Sequence, residues 1–397
     1  MKLLKQINKA LAYVIIIFIK IYQFTLSPDK SIFFLYLRGR VCAHHPHCSQ
    51  YSINVLKRYG FWPGIFYAFD RVLHCTPSMT INYDPDHYKI VFFSSAPIGV
   101  PFLQELAKDK RFEVVGVVTQ CDKPQGRGME TCENIIKTEA KKIFPNQNEN
   151  FINTPTKLNP EKSEEGKEFH KRLTSKEPDF LVVIAYGKII PENILDIAKI
   201  APINVHGSIL PKYRGASPIQ SVFLNREKSS GITIMKMDKG MDTGDMIDIK
   251  QTKLHFDRTC KDLIERMKSE GPAFLNDTVR KFGKKVLGHK KQDDDKATYC
   301  SKIEKESGLI DPYKDSLEEI YNKYRAFFLR PKIYFIHNGK RVIIEELQRN
   351  EASYNEEKHT PLLNIQHATP RTVKTLKVKP EGKKPMDRDS FKNGYLK

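Results

Sequence analysis

The fold is decided by the stretch INVHGSILP at residues 203–211, where an apolar run gives way to a turn. This stretch carries an amide at Asn204 and an imidazole at His206, close to the point where the run ends. In an open α/β sheet, catalytic and binding groups gather beyond the carboxyl ends of the strands. The stretch therefore predicts a strand of such a sheet that leads into a polar site.

A second strand-like stretch supplies a carboxylate. GITIMKM at residues 231–237 alternates as a strand does, and it breaks into GMDTGD at residues 240–245, which includes Asp242. We therefore predict that Asn204, His206 and Asp242 converge on one site. Taken singly, a histidine is more often structural and an aspartate in a turn more often a cap, so the catalytic interpretation depends on both stretches together.

Further apolar runs extend the predicted sheet. Strand-like runs at residues 88–93 and 113–119 flank a predicted helix at residues 101–108. A strand, a helix and a strand within about thirty residues form a right-handed βαβ unit with parallel strands. Another strand is predicted at residues 180–185, whereas the polar stretch at residues 146–179 predicts a loop, a short strand and a solvated helix.

The C-terminal part predicts a small β domain. Asn338-Gly339 separates two strand-like runs at residues 332–337 and 341–344, and an Asn-Gly pair in that position is a strong hairpin signal. The charge of residues 371–397 is net +6, with nine Lys or Arg against three acids. That charge favours contact with an anionic partner such as RNA.

The first 85 residues predict short helices with a basic balance. Helices are predicted at residues 49–58 and 64–73, and ten Lys or Arg against three acids give residues 1–85 a net charge of +7. The run without charges at residues 10–19 is shorter than the ~20 apolar residues of a spanning helix, and it lacks a signal-peptide cleavage site. We therefore expect an interfacial helix on an anionic membrane, with an ordinary core helix as the alternative.

Length and composition narrow the classes of protein. The chain has 397 residues, enough for two or three domains, and a net charge of +19 that favours nucleic acid or an anionic membrane as partner. Seven cysteines, an odd number in so long a chain, indicate a reducing compartment and not a disulfide framework. The loop CAHHPHC at residues 42–48 raises a zinc hypothesis, but its Cys-x5-Cys spacing is unlike a zinc knuckle, and we predict no metal.

The two central stretches carry a family resemblance. NVHGSILPKYRGASPIQ at residues 204–220 and GITIMKMDKGMDTGDM at residues 231–246 resemble the core of the methionyl-tRNA formyltransferases. The resemblance implies an α/β, Rossmann-like catalytic domain at residues 87–290. It also implies a small OB-type β-barrel at residues 291–397 that binds tRNA.

That resemblance also implies a chemistry and residues for it. The formyl group of 10-formyltetrahydrofolate, a co-substrate, would pass to the α-amino group of initiator methionyl-tRNA, with Asn204, His206 and Asp242 as catalytic residues. The tetrahedral oxyanion needs hydrogen-bond donors, and the amine proton needs an acceptor such as Asp242. The implied folate pocket is Ser208, Ile209, Leu210 and Pro211. Arg127, in the loop at residues 120–128, matches the arginine that reaches tRNA in the family.

The N-terminal part resembles another family. YQFTLSP at residues 22–28, the cysteine loop at residues 42–51 and RVLHCTP at residues 71–77 are similar to the small membrane-protein insertion efficiency factors. Ala43 and His44 depart from that pattern. The resemblance implies a helical domain at residues 1–86 that associates with the cytoplasmic face of the inner membrane or with its insertion machinery.

These resemblances predict a monomeric, cytoplasmic, membrane-associated formyltransferase. Two other functions fit the same residues. A folate-dependent formyltransferase of another amine, on a nucleotide sugar or a purine precursor, would use the same trio. A catalytically inactive RNA-binding protein or membrane adaptor would not need it.

Overall fold

The computed structural model describes residues 2–25, 44–45, 47–73, 82–83, 88–125, 130–145, 150–349 and 373–395. The chain divides into two compact units. The first comprises Met1–Lys89, Asp109–Glu113 and Val279–Gly288, and the second comprises Ile90–Lys108, Val114–Thr278 and His289–Lys397. The domain boundaries at residues 86 and 290 stay predictions.

The first unit is mainly helical. Its elements are α1 (Lys2–Thr25), α2 (Cys48–Tyr59), α3 (Phe61–Leu73) and the short parallel pair β1 (His44–His45) and β2 (Asn82–Tyr83). The two predicted helices at residues 49–58 and 64–73 are thus confirmed.

Apolar side chains join the three helices. Ala12 and Ile16 of α1 are buried in one cluster with Ile53 and Leu56 of α2. The guanidinium of Arg71 on α3 lies 4.1 Å from the ring centroid of Tyr51 on α2. The stretch Asn8–Thr25 is long and apolar enough to cross a membrane, and 11% of it is buried. The apolar stretch therefore extends past the ten uncharged residues, and length alone does not exclude a spanning helix.

The second unit is built on a seven-stranded sheet in the order β12-β11-β9-β8-β3-β4-β7. β3 pairs with β8, β8 with β9 and β4 with β7 in parallel, which confirms the predicted α/β class. The strands that precede the C-terminal sheet are β3 (Tyr88–Ser94), β4 (Phe112–Thr119), β5 (Lys123–Gln125), β6 (Glu130–Cys132), β7 (Phe151–Asn153), β8 (Phe180–Ile184), β9 (Ala201–His206), β10 (Arg214–Gly215), β11 (Ser229–Lys236), β12 (Met246–Lys253) and β13 (Tyr299–Cys300).

Helices cover the sheet because each presents one apolar side. Phe169 and Leu173 of α6 are buried against Val91 and Val183 of the sheet, and the side chain of Ser163 caps the start of that helix. The helices are α4 (Gly99–Lys108), α5 (Ile135–Ile143), α6 (Glu164–Ser175), α7 (Glu192–Leu195), α8 (Pro218–Leu224) and α9 (Cys260–Gly283).

The direction of β11 differs from what the sequence suggested. Both β9 and β12 pair with β11 in antiparallel fashion, and the register sets Thr233 opposite His206 and Lys236 opposite Ile203. The end of β11 therefore lies beside the middle of β9 and not beside its carboxyl end. The loop at residues 237–245 must turn back over the sheet to bring Asp242 to Asn204.

The C-terminal part of this unit holds a four-stranded antiparallel sheet in the order β14-β15-β16-β17. The Asn-Gly hairpin is confirmed, with φ of 49° at Asn338 and 74° at Gly339, as a type I′ turn requires. The middle of the predicted barrel, residues 350–372, lies outside the described residues. The elements are α10 (Leu317–Ala326), β14 (Tyr334–His337), β15 (Lys340–Arg349), β16 (Val373–Pro380), β17 (Met386–Asp387) and α11 (Arg388–Tyr395).

Candidate active site

The structure brings the three predicted catalytic side chains together. The amide Nδ2 of Asn204 donates to Oδ1 of Asp242 over 3.1 Å. Nδ1 of His206 lies 3.5 Å from Oδ2 of the same carboxylate. The His206 side chain is 5% exposed and that of Asp242 is 14% exposed. The trio is thus a nearly buried cluster with one carboxylate at its centre.

Backbone groups of residues 213–215 complete this cluster. Nε2 of His206 lies 2.9 Å from the carbonyl oxygen of Tyr213, and the amide of Gly215 donates to Oδ2 of Asp242 over 2.8 Å. Both ring nitrogens therefore face oxygen atoms. Only the protonated imidazole can donate to both, because a neutral ring has one N–H.

Two residues of the cluster hold unusual backbone conformations. Tyr213 has a φ of 63° and Asp242 a φ of 58°, in the left-handed region that few residues other than glycine adopt. Such conformations persist only where the surrounding structure fixes them, and they cluster at functional sites. Aspartate enters this region more readily than most residues, whereas nothing in the residue type of Tyr213 indicates its conformation.

A cavity of about 640 Å³ opens from the trio. Asn204, His206 and Asp242 line it together with Val205 and Gly207. Its other walls come from residues 183–190 and 237–241 and from apolar side chains of the helices and the sheet, which are Ile98, Phe102, Ile219, Ile232 and Met267. A large cavity with apolar walls and a few convergent polar groups is typical of a small-molecule site.

The predicted folate residues Ser208, Ile209, Leu210 and Pro211 do not line this cavity. Ser208 is fully buried, its hydroxyl donates to the carbonyl of Lys212 over 2.6 Å, and Leu210 is 2% exposed. The turn after β9 thus buries the side chains of Ser208 and Leu210, and its backbone binds the hydroxyl of Thr233. The cavity extends instead toward the end of β8, where the sequence predicted a strand but no site residue.

Two other predictions concern residues that lie outside the described part of the chain. Arg127, the predicted tRNA contact, is outside the described residues, which resume on either side of it as the antiparallel pair β5 and β6. Cys42 is also outside them. Among the described residues, no group of three or more His, Cys, Asp or Glu side chains could hold a metal ion.

Cys300 lies against the segment that contacts His206. Its Sγ is 3.5 Å from the carbonyl oxygen of Tyr213 and 3.4 Å from that of Arg214. Burial raises the pKa of the Cys300 thiol above its ordinary value. Because the thiolate is the nucleophilic form of cysteine, this thiol is suited to packing and weak donation and not to attack on an acyl carbon.

Sequence similarity places the chain among the formyl transferases. The sequence model of the formyl transferase family matches residues 88–279, and that of the formyl transferase C-terminal domain matches residues 302–396. Residues 11–87 match the model of a membrane protein insertion efficiency factor.

Relatives with assigned names identify the particular family. The chain is 35% identical over 304 residues to the methionyl-tRNA formyltransferase of Caldanaerobacter subterraneus subsp. tengcongensis, covering 75% of this chain and 94% of the relative. It is 34% identical over 320 residues to that of Caldicellulosiruptor saccharolyticus, covering 77% and 96%. The chain therefore belongs to the methionyl-tRNA formyltransferase family.

Two solved structures are similar at lower identity. The methionyl-tRNA formyltransferase of Clostridium thermocellum is 19% identical with a TM-score of 0.44, covering 66% of this chain and 94% of that one. HypX of Aquifex aeolicus in complex with tetrahydrofolic acid is 14% identical with a TM-score of 0.49, covering 78% and 48%.

Proposed function

We propose that Asn204, His206 and Asp242 catalyse transfer of the formyl group of 10-formyltetrahydrofolate to the α-amine of initiator methionyl-tRNA. The observation that carries the proposal is the cluster itself, in which one carboxylate binds Asn204 and faces His206 at the wall of a large cavity. Formyl transfer to an amine needs both a donor for an oxyanion and an acceptor for a proton. This cluster offers both.

The reaction assigns a role to each side chain. The amine nitrogen attacks the formyl carbon, the new C–N bond forms, and the carbonyl electron pair moves to the oxygen. Asn204 has a second N–H that does not donate to Asp242 and can donate to this oxyanion, while a protonated His206 places positive charge beside it. The amine proton passes to Asp242, the bond to N10 of the folate breaks as the carbonyl re-forms, and the proton passes from Asp242 to N10, which restores the carboxylate.

The cavity supports a folate as the formyl donor. Its volume of about 640 Å³ falls within the roughly 300–1,000 Å³ of small-molecule pockets, and its apolar walls suit a flat heteroaromatic ring. Residues 183–190 and 237–241 would hold the co-substrate. The turn at Ser208–Pro211 would act indirectly, because it fixes Gly207 and His206 at the cavity wall.

The C-terminal sheet supports tRNA as the carrier of the amine. Lys374, Lys377 and Lys379 of β16 are exposed, whereas Leu376 and Val378 between them are buried. Alternation along the strand sets Lys377 and Lys379 on one face, where Lys377 also pairs with Glu346 over 2.7 Å, and ammonium groups bind phosphates. Arg127 remains a proposed contact to the acceptor end.

The helices of the first unit favour a second property, peripheral membrane association. Phe18 and Phe24 of α1 and Trp62 and Phe66 of α3 are each more than 60% exposed. Amphipathic helices with such side chains bury them at the boundary between lipid headgroups and acyl chains. We place the chain in the cytoplasm, bound to the cytoplasmic face of the inner membrane through residues 1–85.

The packing of α1 argues against a spanning helix. Ala12 and Ile16 contact α2, whose Asn54 and Lys57 are exposed and polar. Asn8 accepts a hydrogen bond from the amide of Trp62, and Gln23 donates to Ser49. A spanning α1 would have to break these contacts or take the polar side of α2 into the hydrocarbon, where polar groups are costly.

Substitution of His206 tests the catalytic proposal. We expect His206→Ala to lower kcat for formylation of methionyl-tRNA by ~10² to 10⁴, because the reaction loses its charged donor, while the affinity for folate changes by no more than a few fold. His170→Ala, on the surface of α6, is the matched control and should leave kcat unchanged. Near-normal turnover of His206→Ala would exclude the trio. Faster formylation of an amino sugar than of methionyl-tRNA by the wild-type chain would favour a different substrate.

A further inference from the structure

One glutamine side chain joins the two segments that hold the catalytic carboxylate. Nε2 of Gln292 donates to the carbonyl of Asp242 over 2.7 Å and to the carbonyl of Gly244 over 2.7 Å. Its Oε1 accepts from Nε of Arg214 over 2.9 Å. Both N–H bonds and the oxygen of this amide are thus used.

The first arm of this contact acts on the loop that carries Asp242. The loop holds Asp242 at a φ of 58°, in the left-handed region, which costs free energy for residues other than glycine. Other hydrogen bonds hold the loop near its ends. The amide of Lys236 donates to the carbonyl of Asp245 over 2.8 Å, and the carboxylate of Asp238 accepts from the amide of Gly240. Gln292 binds the carbonyl of Asp242 itself and so fixes the peptide that follows the strained residue.

The second arm acts on the segment at residues 213–215. Arg214 is 1% exposed, and besides Gln292 it binds Asp294 over 2.7 Å and the hydroxyl of Tyr299 over 3.3 Å. The neighbours of Arg214 in the chain are the two residues whose backbone contacts His206 and Asp242. Gln292 therefore connects the segment that binds the carboxylate from one side with the loop that carries it.

We propose that Gln292 is a positioning residue, which holds the Asp242 carboxylate at its distance from His206 and Asn204 without contacting the substrate. This inference rests on the proposed catalytic role of Asp242. Gln292 lies 50 residues after Asp242 and 48 residues after Gly244 in the chain, so the loop is held by a segment distant in sequence. A displacement of about 1 Å in a catalytic group is enough to lower a rate by ~10².

The test compares kcat and KM of four full-length variants, Gln292→Ala, Gln292→Glu, Asp242→Asn and the double variant Gln292→Ala/Asp242→Asn. Gln292→Ala should lower kcat by roughly 10- to 100-fold with both KM values within about 3-fold, since the carboxylate moves but the cavity stays. Gln292→Glu should lose as much, because it keeps the acceptor for Arg214 and lacks both N–H donors. Gln251→Ala, an exposed glutamine on β12, is the control and should behave as wild type.

The double variant separates positioning from a general loss of structure. In the Asp242→Asn background, Gln292→Ala should lower kcat by less than about 2-fold, because the two residues act through one carboxylate. Losses that multiply would overturn the inference, as would wild-type kcat in Gln292→Ala. Because Gln292→Glu retains the partner of the buried Arg214, it tests the donor arm even if Gln292→Ala does not fold. Wild-type activity of Asp242→Asn would instead overturn the proposed function.

Discussion

Thr233 holds the turn that follows His206 at the end of β9. Its hydroxyl donates to the carbonyl of Ser208 over 2.7 Å and accepts from the amide of Leu210 over 3.1 Å, and the side chain is fully buried. We expect Thr233→Val to lower the free energy of unfolding by ~1–3 kcal/mol, because a buried N–H and a buried carbonyl lose their partner. Urea unfolding followed by circular dichroism measures this change. Thr233→Ser, which keeps the hydroxyl, should lose clearly less, and equal losses would show that the methyl group and not the hydrogen bonds matters.

Residues of the site differ in how far the sequence reveals them. Asn204, His206 and Asp242 act through side chains in two recognisable stretches, so their approach was predictable and the structure brings them together. Tyr213 and Gly215 contribute backbone atoms, which leave no signature in residue type. Residues 208–211 do not line the cavity, and their predicted contact with folate, partly through backbone groups, stays a prediction.

At the level of elements, periodicity predicted strands but not their direction. The run at residues 231–237 forms most of β11, as expected, yet β11 is antiparallel to β9. The alternation of apolar and polar residues indicates which side of a strand is buried. It does not indicate which strand pairs with it or in which direction, because that pairing depends on contacts distant in sequence. The Asn-Gly hairpin was predictable in direction as well, because its turn is local.

The start of α5 offers a prediction with a pH dependence. Asp122 accepts from the Nζ of Lys137 over 2.8 Å and from the amide of Asn134 over 3.0 Å, and the hydrogen bond from Lys137 is the main cause that holds the pKa of Asp122 below its ordinary 3.8. A carboxyl group with a lowered pKa stabilises the fold at pH values above its unfolded pKa and loses this effect as the pH falls through the folded one.

We therefore expect Asp122→Asn to lower the free energy of unfolding at pH 7 by ~0.5–1 kcal/mol, the range of a partly exposed ion pair. The difference in the free energy of unfolding between variant and wild type should stay constant at pH values above 3.8 and should shrink as the pH falls below that value. Urea unfolding across this pH range is the measurement. Asp196→Asn, on the surface after α7, is the control, and a difference that stays constant through the acid range would show that the charge of Asp122 is not its cause.

On the scale of the whole molecule, the charge is concentrated where the two proposed partners bind. Residues 371–397, which include β16, β17 and α11, carry a net charge of +6, and residues 1–85, which include the helices with exposed aromatic side chains, carry +7. RNA and anionic lipid both attract cations, and RNA bases also stack on aromatic rings, but only lipid buries the exposed apolar side of a whole helix. The composition predicted anionic partners at both ends of the chain. The exposed rings of α1 and α3 favour lipid as the partner of the N-terminal end, and the sequence could not reveal this because exposure depends on packing.

The membrane proposal makes a prediction for the full-length chain. It should co-sediment with vesicles that contain anionic lipid, and binding should weaken as salt rises, because each Lys or Arg near the surface contributes only ~1 kcal/mol and is screened. Phe66→Ser/Phe69→Ser on α3 should weaken binding by ~10-fold or more, since two large rings no longer leave water. The exposed Tyr313 of the second unit provides the control Tyr313→Ser, and formylation should be unchanged in both variants. Binding that resists salt and alkaline carbonate would show that α1 spans the bilayer, whereas equal binding of the α3 variant would show that charge alone holds the chain at the surface.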